Sequence, residues 1–332
     1  MMGAYSIFAD TRQLSHEEWL EARKTGIGGS DAGAIMGVNP YRGPFSVWAD
    51  KAGYGSAIED NEAMRQGRDL EEYVAKRFQE KTGKKVRREY GMLRKKDKPW
   101  MIADIDRRIR GEPCGLECKM SKDVYKKRWR DGQMPLEYYC QCLHYMSVTG
   151  WDTWYLCAVI ALTDVLVYKI TRGMAVEEEG VDHCISGAQD DIERLEEAEE
   201  ALWRDFVIPG TPPPPDGLKA TSEALARVYS DEGYTVDSDD EADRAILELI
   251  EAREDKRKAE ARIRRAENEI KARMQEAGEM RSAYASVTWK EQKRRQISEK
   301  KLKEKYPMVD VGAIREDTQS RVFRVKTYEE DE

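Results

Sequence analysis

Residues 100–120 read WMIADIDRRIRGEPCGLECKM, two apolar runs separated by a glycine-containing turn. Asp106 lies in the first run, and Glu117 and Lys119 lie in the second. Side chains two apart in a strand point to the same face, so Glu117 and Lys119 project together while Cys118 points away. Charged residues in an apolar strand are costly unless they serve a purpose. If the runs pair as a hairpin, Asp106 joins a cluster of two carboxylates and one lysine.

Such a cluster has the groups needed for metal-dependent hydrolysis of a phosphodiester. Asp106 and Glu117 can bind a hard divalent cation, and the backbone carbonyl of Cys118 can complete the metal shell. A bound metal lowers the pKa of a water molecule and neutralises the phosphate. Lys119 would orient the attacking water and offset transition-state charge. On spacing alone, however, Asp followed by Glu-x-Lys also fits an ordinary surface salt bridge, so both interpretations stay open.

The surrounding sequence alternates between helical and strand patterns. An amphipathic helix is predicted at about 60–82, and a second helix at about 136–149. The order of helix, three strands, helix and further strands predicts an α/β core with a mixed sheet. The strand-like runs are at about 85–93, 99–109, 114–119, 152–160 and 165–171.

The second half of the chain changes in composition. An acidic helix is predicted from residue 172 to about 206, followed by the stiff spacer Pro212–Pro215. We therefore predict a catalytic domain at residues 1–215 and an accessory region at 216–332. The accessory region contains a long helix, about 238–277, whose narrow apolar stripe fits a coiled-coil seam or a helix packed within the chain or its oligomer. Short strands are predicted at Ala283–Trp289 and Arg321–Lys326.

Composition leaves nucleic-acid binding open and disfavours a membrane protein. The net charge is −8, but residues 1–171 carry 28 Lys and Arg against 24 Asp and Glu. Residues 172–252 carry 6 against 23, so the negative charge is concentrated there. No apolar run is long enough to span a bilayer, and the N-terminus lacks the pattern of a secretory signal. The six cysteines form no CxxC pair, which indicates reduced structural thiols rather than an iron–sulfur site.

Five motifs together resemble the YqaJ-type viral recombinases, a family similar to lambda exonuclease within the PD-(D/E)xK nuclease superfamily. They occur in the family's order and cover roughly residues 15–215. The resemblance implies a restriction-endonuclease-like core. The motifs are WLEARKTGIGGSDA (residues 19–32), GRDLE (67–71), ADIDR (103–107), GLECK (115–119) and QCLHY (141–145).

The resemblance implies a role for each matching residue at the metal. Asp106 and Glu117 match metal-binding carboxylates, and Lys119 matches the catalytic lysine. Glu71 resembles a helix carboxylate that reaches the metal or its water, although an ordinary solvated glutamate fits the same pattern. Asp104, two residues before Asp106, is an alternative metal ligand. We prefer Asp106 because a basic residue follows it directly, as in the family.

The resemblance also implies contacts with DNA. Arg23 and Ser30 resemble residues that hold a terminal 5′-phosphate, and a Gly-Gly-Ser turn presents backbone N–H groups to an anion. The alternative is that Ser30 or Asp31 only caps the following helix. Gln141 and Tyr145, one helical turn apart, would bond to DNA or to catalytic groups, or else support the core.

Taken together, the motifs predict a magnesium-dependent 5′-to-3′ exonuclease, with manganese as an alternative metal. Its substrate would be the ends of double-stranded DNA, and its product would be 3′ overhangs for phage-type recombination. The resemblance further implies a homo-oligomer, a single-strand annealing partner, a phage or prophage origin and a place in the bacterial cytoplasm. The alternatives are a structure- or sequence-specific endonuclease of the same fold, and a non-catalytic DNA-binding or annealing protein.

Basic clusters at 84–88, 94–98 and 122–130 flank the motif and predict contacts with the phosphate backbone, with a solvated surface as the alternative.

Overall fold

The computed structural model describes residues 3–55, 62–122, 128–129, 132–291, 302, 304–306 and 308. The chain divides into two compact units, Met1–Ser230 and Asp231–Glu332. Within the described residues, no helix is both long and apolar enough to cross a membrane.

A six-stranded mixed sheet forms the centre of the first unit, as the sequence predicted. Its spatial order is β2-β5-β6-β7-β8-β9. The pairs β6–β7 and β8–β9 are parallel, and the other neighbours are antiparallel. The strands are β2 (Val86–Arg88), β5 (Arg107–Ile109), β6 (Cys114–Ser121), β7 (Thr153–Ile160), β8 (Asp164–Thr171) and β9 (His183–Ile185).

Helices cover both faces of this sheet. The side chains of β7 alternate: Trp154 and Leu156 pack in the larger core beside α5 (Leu136–Thr149), whereas Tyr155 and Cys157 pack beside α4 (Glu62–Thr82). Strand side chains have a period of two, so a strand buried on both faces reads as a continuous apolar run. The two predicted helices and the mixed α/β architecture are therefore confirmed.

The helix α5 ends at a glycine. Gly150 follows it in the left-handed conformation, φ +70°, and its N–H bonds to the carbonyl of Met146. Glycine reaches positive φ without the penalty that a side chain incurs, which makes it the usual residue at this position.

The first unit also contains a three-stranded sheet of order β1-β3-β4. Two runs that were each predicted as one strand are in fact divided between this sheet and the six-stranded one. The run at 85–93 divides into β2 and the start of β3 (Gly91–Lys95), and the run at 99–109 divides into β4 (Ile102–Ala103) and β5. β1 is Tyr5–Asp10. Because β4 and β5 belong to different sheets, the chain must leave one and enter the other between them. Residues 104–106 make this crossover outside any strand.

The remaining helices of the first unit are α1 (His16–Lys24), α2 (Gly29–Ile35), α3 (Pro44–Lys51), α6 (Gln189–Leu202) and α7 (Lys219–Val228). The prediction of one helix from residue 172 to 206 is wrong at its start, because β9 pairs with β8 before α6 begins. A π-helical turn, Trp203–Val207, continues α6.

The first unit extends beyond the proline spacer. Ala224 of α7 is buried with Phe45, Trp48 and Ala49 of α3, so residues 219–228 complete a core of the first unit. The domain division predicted at residue 215 thus lies fifteen residues before the boundary between the compact units.

The second unit contains α8 (Asp240–Met274) and a short hairpin, β10 (Glu279–Arg281) with β11 (Ser286–Thr288). Asp239 caps α8 through its side chain, which accepts from two backbone N–H groups. The predicted strand at 283–289 corresponds to β11, and the one at 321–326 lies outside the described residues.

Candidate active site

Asp106, Glu117 and Lys119 lie together at the junction of β5 and β6. Asp106 directly precedes β5, and the antiparallel register of β5 with β6 pairs Arg107 with Leu116. The backbone N–H of Cys118 donates to Oδ2 of Asp106 at 2.8 Å. Lys119 Nζ lies 2.6 Å from Glu117 Oε1. The hairpin thus brings together the three residues that the sequence grouped.

Glu117 is 1% exposed, and only one of its oxygens is fully engaged. Oε1 accepts from Gln141 Nε2 at 2.8 Å and lies beside Lys119. Oε2 is buried and has no hydrogen-bond partner in the described part of the chain. A buried polar atom without a partner carries a desolvation cost, which indicates a missing binding partner. Carboxylate oxygens are the ligands that Mg²⁺ prefers, so these residues fit a divalent cation.

The electrostatics of the cluster also favour a cation. Burial, reinforced by Glu117 and Glu71, raises the pKa of Asp106 well above its usual range. Burial also raises the pKa of Glu117, although Lys119 opposes the rise. For Lys119, burial alone would lower the pKa, but Glu117 and Asp106 raise it, so the ammonium stays charged. A cation bound between the two carboxylates would offset the burial and repulsion that raise their pKa values.

Cys118 has its thiol on the opposite side from the carboxylates. The thiol packs in the core beside α4, and burial raises its pKa well above the usual value. A buried neutral thiol is a poor ligand for a hard cation. Cys118 can therefore serve a metal only through its backbone carbonyl, as predicted.

Glu71 is paired with Arg107, a partner that the sequence reasoning did not assign to it. Arg107 is 2% exposed and forms ion pairs with Glu71 and, at 3.0 Å, with Glu72. Within the described residues, no three His, Cys, Asp or Glu side chains are gathered closely enough to hold a metal ion. Glu71 lines the same cleft as Asp106, and its charge contributes to the raised pKa of Asp106.

Arg23 and Ser30 are in direct contact. Arg23 Nη2 donates to Ser30 Oγ at 2.6 Å, and the guanidinium lies over the ring of Trp19 at 4.8 Å. Asp31, not Ser30, caps α2: its buried carboxylate accepts from the backbone N–H of Gly28. The Ser30 hydroxyl and the Arg23 fork are therefore not required for capping and can meet an anion together.

Asp104 is hydrogen-bonded to Trp19, which also contacts Arg23, and to Tyr145. Its Oδ2 accepts from Trp19 Nε1 at 2.8 Å, and its backbone carbonyl accepts from Tyr145 Oη at 3.0 Å. The Trp19 contact is a second feature that sequence reasoning missed, because the two residues are 85 positions apart. Asp104 is thus hydrogen-bonded to Trp19, and Asp106 to Cys118, although the charge of Asp104 also contributes to the raised pKa of Glu117.

Gln141 and Tyr145, both on α5, connect Glu117 with Asp104 through hydrogen bonds. Gln141 Nε2 donates to Glu117 Oε1 and also to Tyr145 Oη, at 2.9 Å. Tyr145 in turn donates to the carbonyl of Asp104. The absence of a side chain at Gly29 leaves space for these hydrogen-bonded residues, because a Cβ there would lie 2.6 Å from the Tyr145 ring. The two α5 residues thus line the cleft and are hydrogen-bonded to other predicted site residues.

One cleft of about 320 Å³ is lined by Arg23, Ser30 and Asp106, whereas Glu117 and Lys119 are not among its lining residues. Its walls combine residues from α1, α2, the β4–β5 crossover, α4 and α5. They include Trp19, Arg23, Ser30, Glu71, Arg88, Tyr90, Asp104, Asp106, Arg107, Gln141 and Tyr145. The Arg23–Ser30 pair and Asp106 therefore face the same cleft.

The basic clusters contribute less to this cleft than their charge suggested. Lys84 pairs with Glu112 and Glu178, and Lys98 pairs with Glu196 and Glu200. Of the cluster at 84–88, Arg88 lines the cleft. Most of the cluster at 122–130 lies outside the described residues.

The cysteines agree with the predicted structural role. Cys184 is exposed and the other five are buried, and none of the six forms a disulfide.

The chain belongs to the YqaJ-like viral recombinase family. The family's domain matches residues 18–152, which contain all the residues discussed above for the site. Protein YqaJ of Bacillus subtilis (strain 168) is similar over nearly the whole length: it is 31% identical over 325 residues, 96% of this chain and 97% of that protein. This membership supports a nuclease function in recombination.

Two further similarities are more limited. A 46-residue segment is 37% identical to Protein D345L of African swine fever virus, covering 14% of this chain and 13% of that protein. Among solved structures, the alkaline exonuclease LHK-Exo of Laribacter hongkongensis superposes on 57% of this chain and 91% of its own, with a TM-score of 0.44 and 18% identity.

Proposed function

We propose that this protein is a magnesium-dependent exonuclease that degrades one strand of linear duplex DNA from its 5′ end. The observation that carries the proposal is the single cleft that contains both the Arg23–Ser30 pair and Asp106. A terminal phosphate is present at an end and absent within a strand. An anion pair beside hydrolytic carboxylates therefore favours an enzyme that works from ends.

Magnesium, or manganese in its place, would be held by Asp106 and Glu117, with Glu71 and the Cys118 carbonyl as further contacts. It would lower the pKa of a bound water and neutralise charge on the scissile phosphate. The Glu117 oxygen without a partner supports this assignment.

The chain's own groups orient the reaction. Arg23 and Ser30 bind the terminal 5′-phosphate and fix the position of the first nucleotide. Lys119 stays protonated, and it stabilises negative charge as the scissile phosphate is attacked. Gln141 holds the Glu117 carboxylate through Nε2, and Tyr145 fixes the Asp104 backbone. Removal of nucleotides from each 5′ end would leave 3′ overhangs, which a single-strand annealing protein could then pair.

The proposal is tested by digestion of linear duplexes that bear 5′-phosphate or 5′-hydroxyl ends, beside closed circles, with magnesium or with EDTA. We expect magnesium-dependent loss of the 5′-phosphorylated linear DNA. Cleavage of the closed circles would favour the endonuclease alternative. Binding of DNA ends without any hydrolysis would favour the non-catalytic alternative.

The phosphate pair has its own test. Arg23→Ala should reduce the preference for 5′-phosphate over 5′-hydroxyl ends by about tenfold or more, since charge-assisted bonds to a phosphate are worth about 1.5–3 kcal/mol. Lys24→Ala is the matched control, because Lys24 is the next residue and pairs with Glu21 at the surface. An unchanged preference in Arg23→Ala, with the control also unchanged, would remove this pair from the proposed site.

A further inference from the structure

The helix α8 presents an exposed surface along nearly its whole length. Its 35 residues span roughly 50 Å at 1.5 Å per residue. In the part of the chain that the structure describes, Met274 is its one buried residue, and Ile263 is 58% exposed. Ion pairs three or four residues apart stabilise the helix by itself, for example Arg265 with Glu269 and Lys271 with Glu267. Ion pairs between charged side chains give no structural role to the exposed apolar residues of α8.

One row of mostly apolar residues on α8 follows a heptad pattern, and Ile246, Leu247 and Ile250 lie outside this row. Steps of three and four alternate from Ala242 to Ile270, with Lys256 as the one polar member of the row. This spacing of 3.5 residues is the period of a coiled-coil seam. One heptad position holds only alanine, and the other holds the larger residues together with Ala242. Alanine recurs every seventh residue at 245, 252, 259 and 266, and the other position holds Leu249, Ile263 and Ile270. We call this row the α8 seam.

The α8 seam is complementary to itself in one orientation. An antiparallel alignment that places Leu249 against Ala266 of a second copy also places Ile263 against Ala252 of that copy. The same alignment brings Ile270 to Ala245. Each large aliphatic side chain then meets an alanine, which lets two helices pack closely. A parallel alignment would instead place Lys256 against Lys256.

The charges of α8 favour the same orientation. Residues 239–255 carry eight acidic and two basic side chains, whereas residues 256–274 carry three acidic and eight basic ones. Antiparallel copies place the acidic half of each beside the basic half of the other, and parallel copies place like charges together. In the alignment above, Arg253 lies beside Glu260 of the second copy and Asp255 beside Arg262, while Glu248 beside Glu269 is the one like-charge pair among these flanking positions.

We propose that the α8 seam binds a second copy of this chain, forming an antiparallel two-helix coiled coil that joins two molecules. The pairing of large with small residues and of acidic with basic halves selects this occupant. The proposal is independent of the nuclease function, because the seam contains none of the residues of the cleft.

The mass of the full-length protein in solution tests the proposal. Ala259→Glu places a charge in the seam, and we expect it to halve the mass measured by sedimentation equilibrium. Ala261→Glu is the matched control: it makes the same change two residues away on the outer face of α8 and should leave the mass unchanged. Equal circular dichroism of the two variants would confirm that α8 remains helical. An unchanged mass in Ala259→Glu, or a monomeric parent protein, would overturn the proposal.

Cross-linking tests the orientation. In a Cys184→Ser background, which removes the exposed cysteine, Leu249→Cys combined with Ala266→Cys should give a disulfide-linked dimer on oxidation. Each single variant should remain unlinked, because like positions are far apart in antiparallel helices. Efficient linking of either single variant would indicate parallel helices and contradict the proposed seam.

Discussion

At the scale of single residues, Asp104 and Asp106 have different surroundings although they are two positions apart. Trp19 donates to the Asp104 carboxylate, whereas the Cys118 N–H donates to Asp106 beside Glu117. We predict that Asp106→Asn lowers magnesium-dependent activity by about a hundredfold or more, the scale of losing a group that stabilises transition-state charge. Asp104→Asn retains an acceptor oxygen for Trp19 and should lose less than about tenfold. Rates of nucleotide release from linear duplex DNA measure both.

The reverse ranking, with Asp104→Asn the more damaged variant, would make Asp104 the principal metal contact. Thermal unfolding of both variants checks that any loss of activity is not a loss of fold.

Sequence alone could group Asp106, Glu117 and Lys119, because strand periodicity and a short turn determine which neighbours meet. It could not pair Arg107 with Glu71, since these residues come from a strand and a helix 36 positions apart. The same limit hid the bond from Trp19 to Asp104. Contacts between elements depend on how the elements pack, and a local pattern contains no information on that.

At the scale of elements, the acidic helix α6 attaches to the core through buried and half-buried ion pairs. Glu196 of α6 is one example. Burial alone would raise the pKa of Glu196, but hydrogen bonds from Lys95, Ser147 and Lys98 lower it to about 2. A carboxylate with a lowered pKa stabilises the fold fully above its ordinary value of 4.5. That contribution is lost as the pH falls from about 4.5 towards 2.

We therefore predict that Glu196→Gln flattens the acid side of the stability profile. The parent protein should lose on the order of 2 kcal/mol more than the variant between pH 5 and about pH 2. Urea unfolding across that pH range measures the difference. Identical slopes in the two proteins would show that Glu196 is not responsible.

A second link between α6 and α5 is fully buried. His144 Nδ1 lies 2.8 Å from Glu199, and its Nε2 lies 2.8 Å from the Ile102 carbonyl. A carbonyl can only accept, so Nε2 carries a proton. Burial alone would lower the pKa of His144, but Glu199 raises it. The pair thus connects α6 through α5 to β4, which borders the cleft.

Removing one member of such a pair leaves the other charge buried. Glu199→Ala should lower the free energy of unfolding by about 3–5 kcal/mol. Glu197→Ala, an exposed change on the same helix, should have an effect within about 0.5 kcal/mol. Chemical denaturation compares the two variants. Equal stabilities would mean that the His144–Glu199 link does not hold α6 in place.

The elements themselves were predictable where periodicity was strong, as for α4 and α5. The apolar run at 99–109 was misread as one strand because both of its halves are buried and strand-like. The break at residues 104–106 comes from pairing with two different sheets. Pairing partners are set by the whole fold, so this crossover could not be read locally, although it positions both aspartates.

At the scale of the whole molecule, the net charge of −8 coexists with a cleft that contains arginines. Arg88 lines the cleft, whereas its neighbour Arg87 does not. We predict that Arg88→Ala weakens binding to duplex DNA and reduces the salt dependence of binding by about one released counterion. Binding titrations at several salt concentrations measure both effects.

Arg87→Ala is the matched control, since adjacent residues of a strand point to opposite faces. If Arg87→Ala weakened binding as much as Arg88→Ala, the protein's general charge, and not the cleft, would attract the DNA.

In the proposed mechanism, hydrolysis starts at a phosphorylated 5′ end that Arg23 and Ser30 hold beside Asp106 and Glu117. The most direct measurement uses a linear duplex with a 5′-phosphate on one strand and a 5′-hydroxyl on the other, and a different label at each 3′ end. With magnesium, we expect the phosphorylated strand to shorten from its 5′ end while its 3′ label remains until late. Early release of the 3′ labels, or equal loss of both strands, would contradict this mechanism.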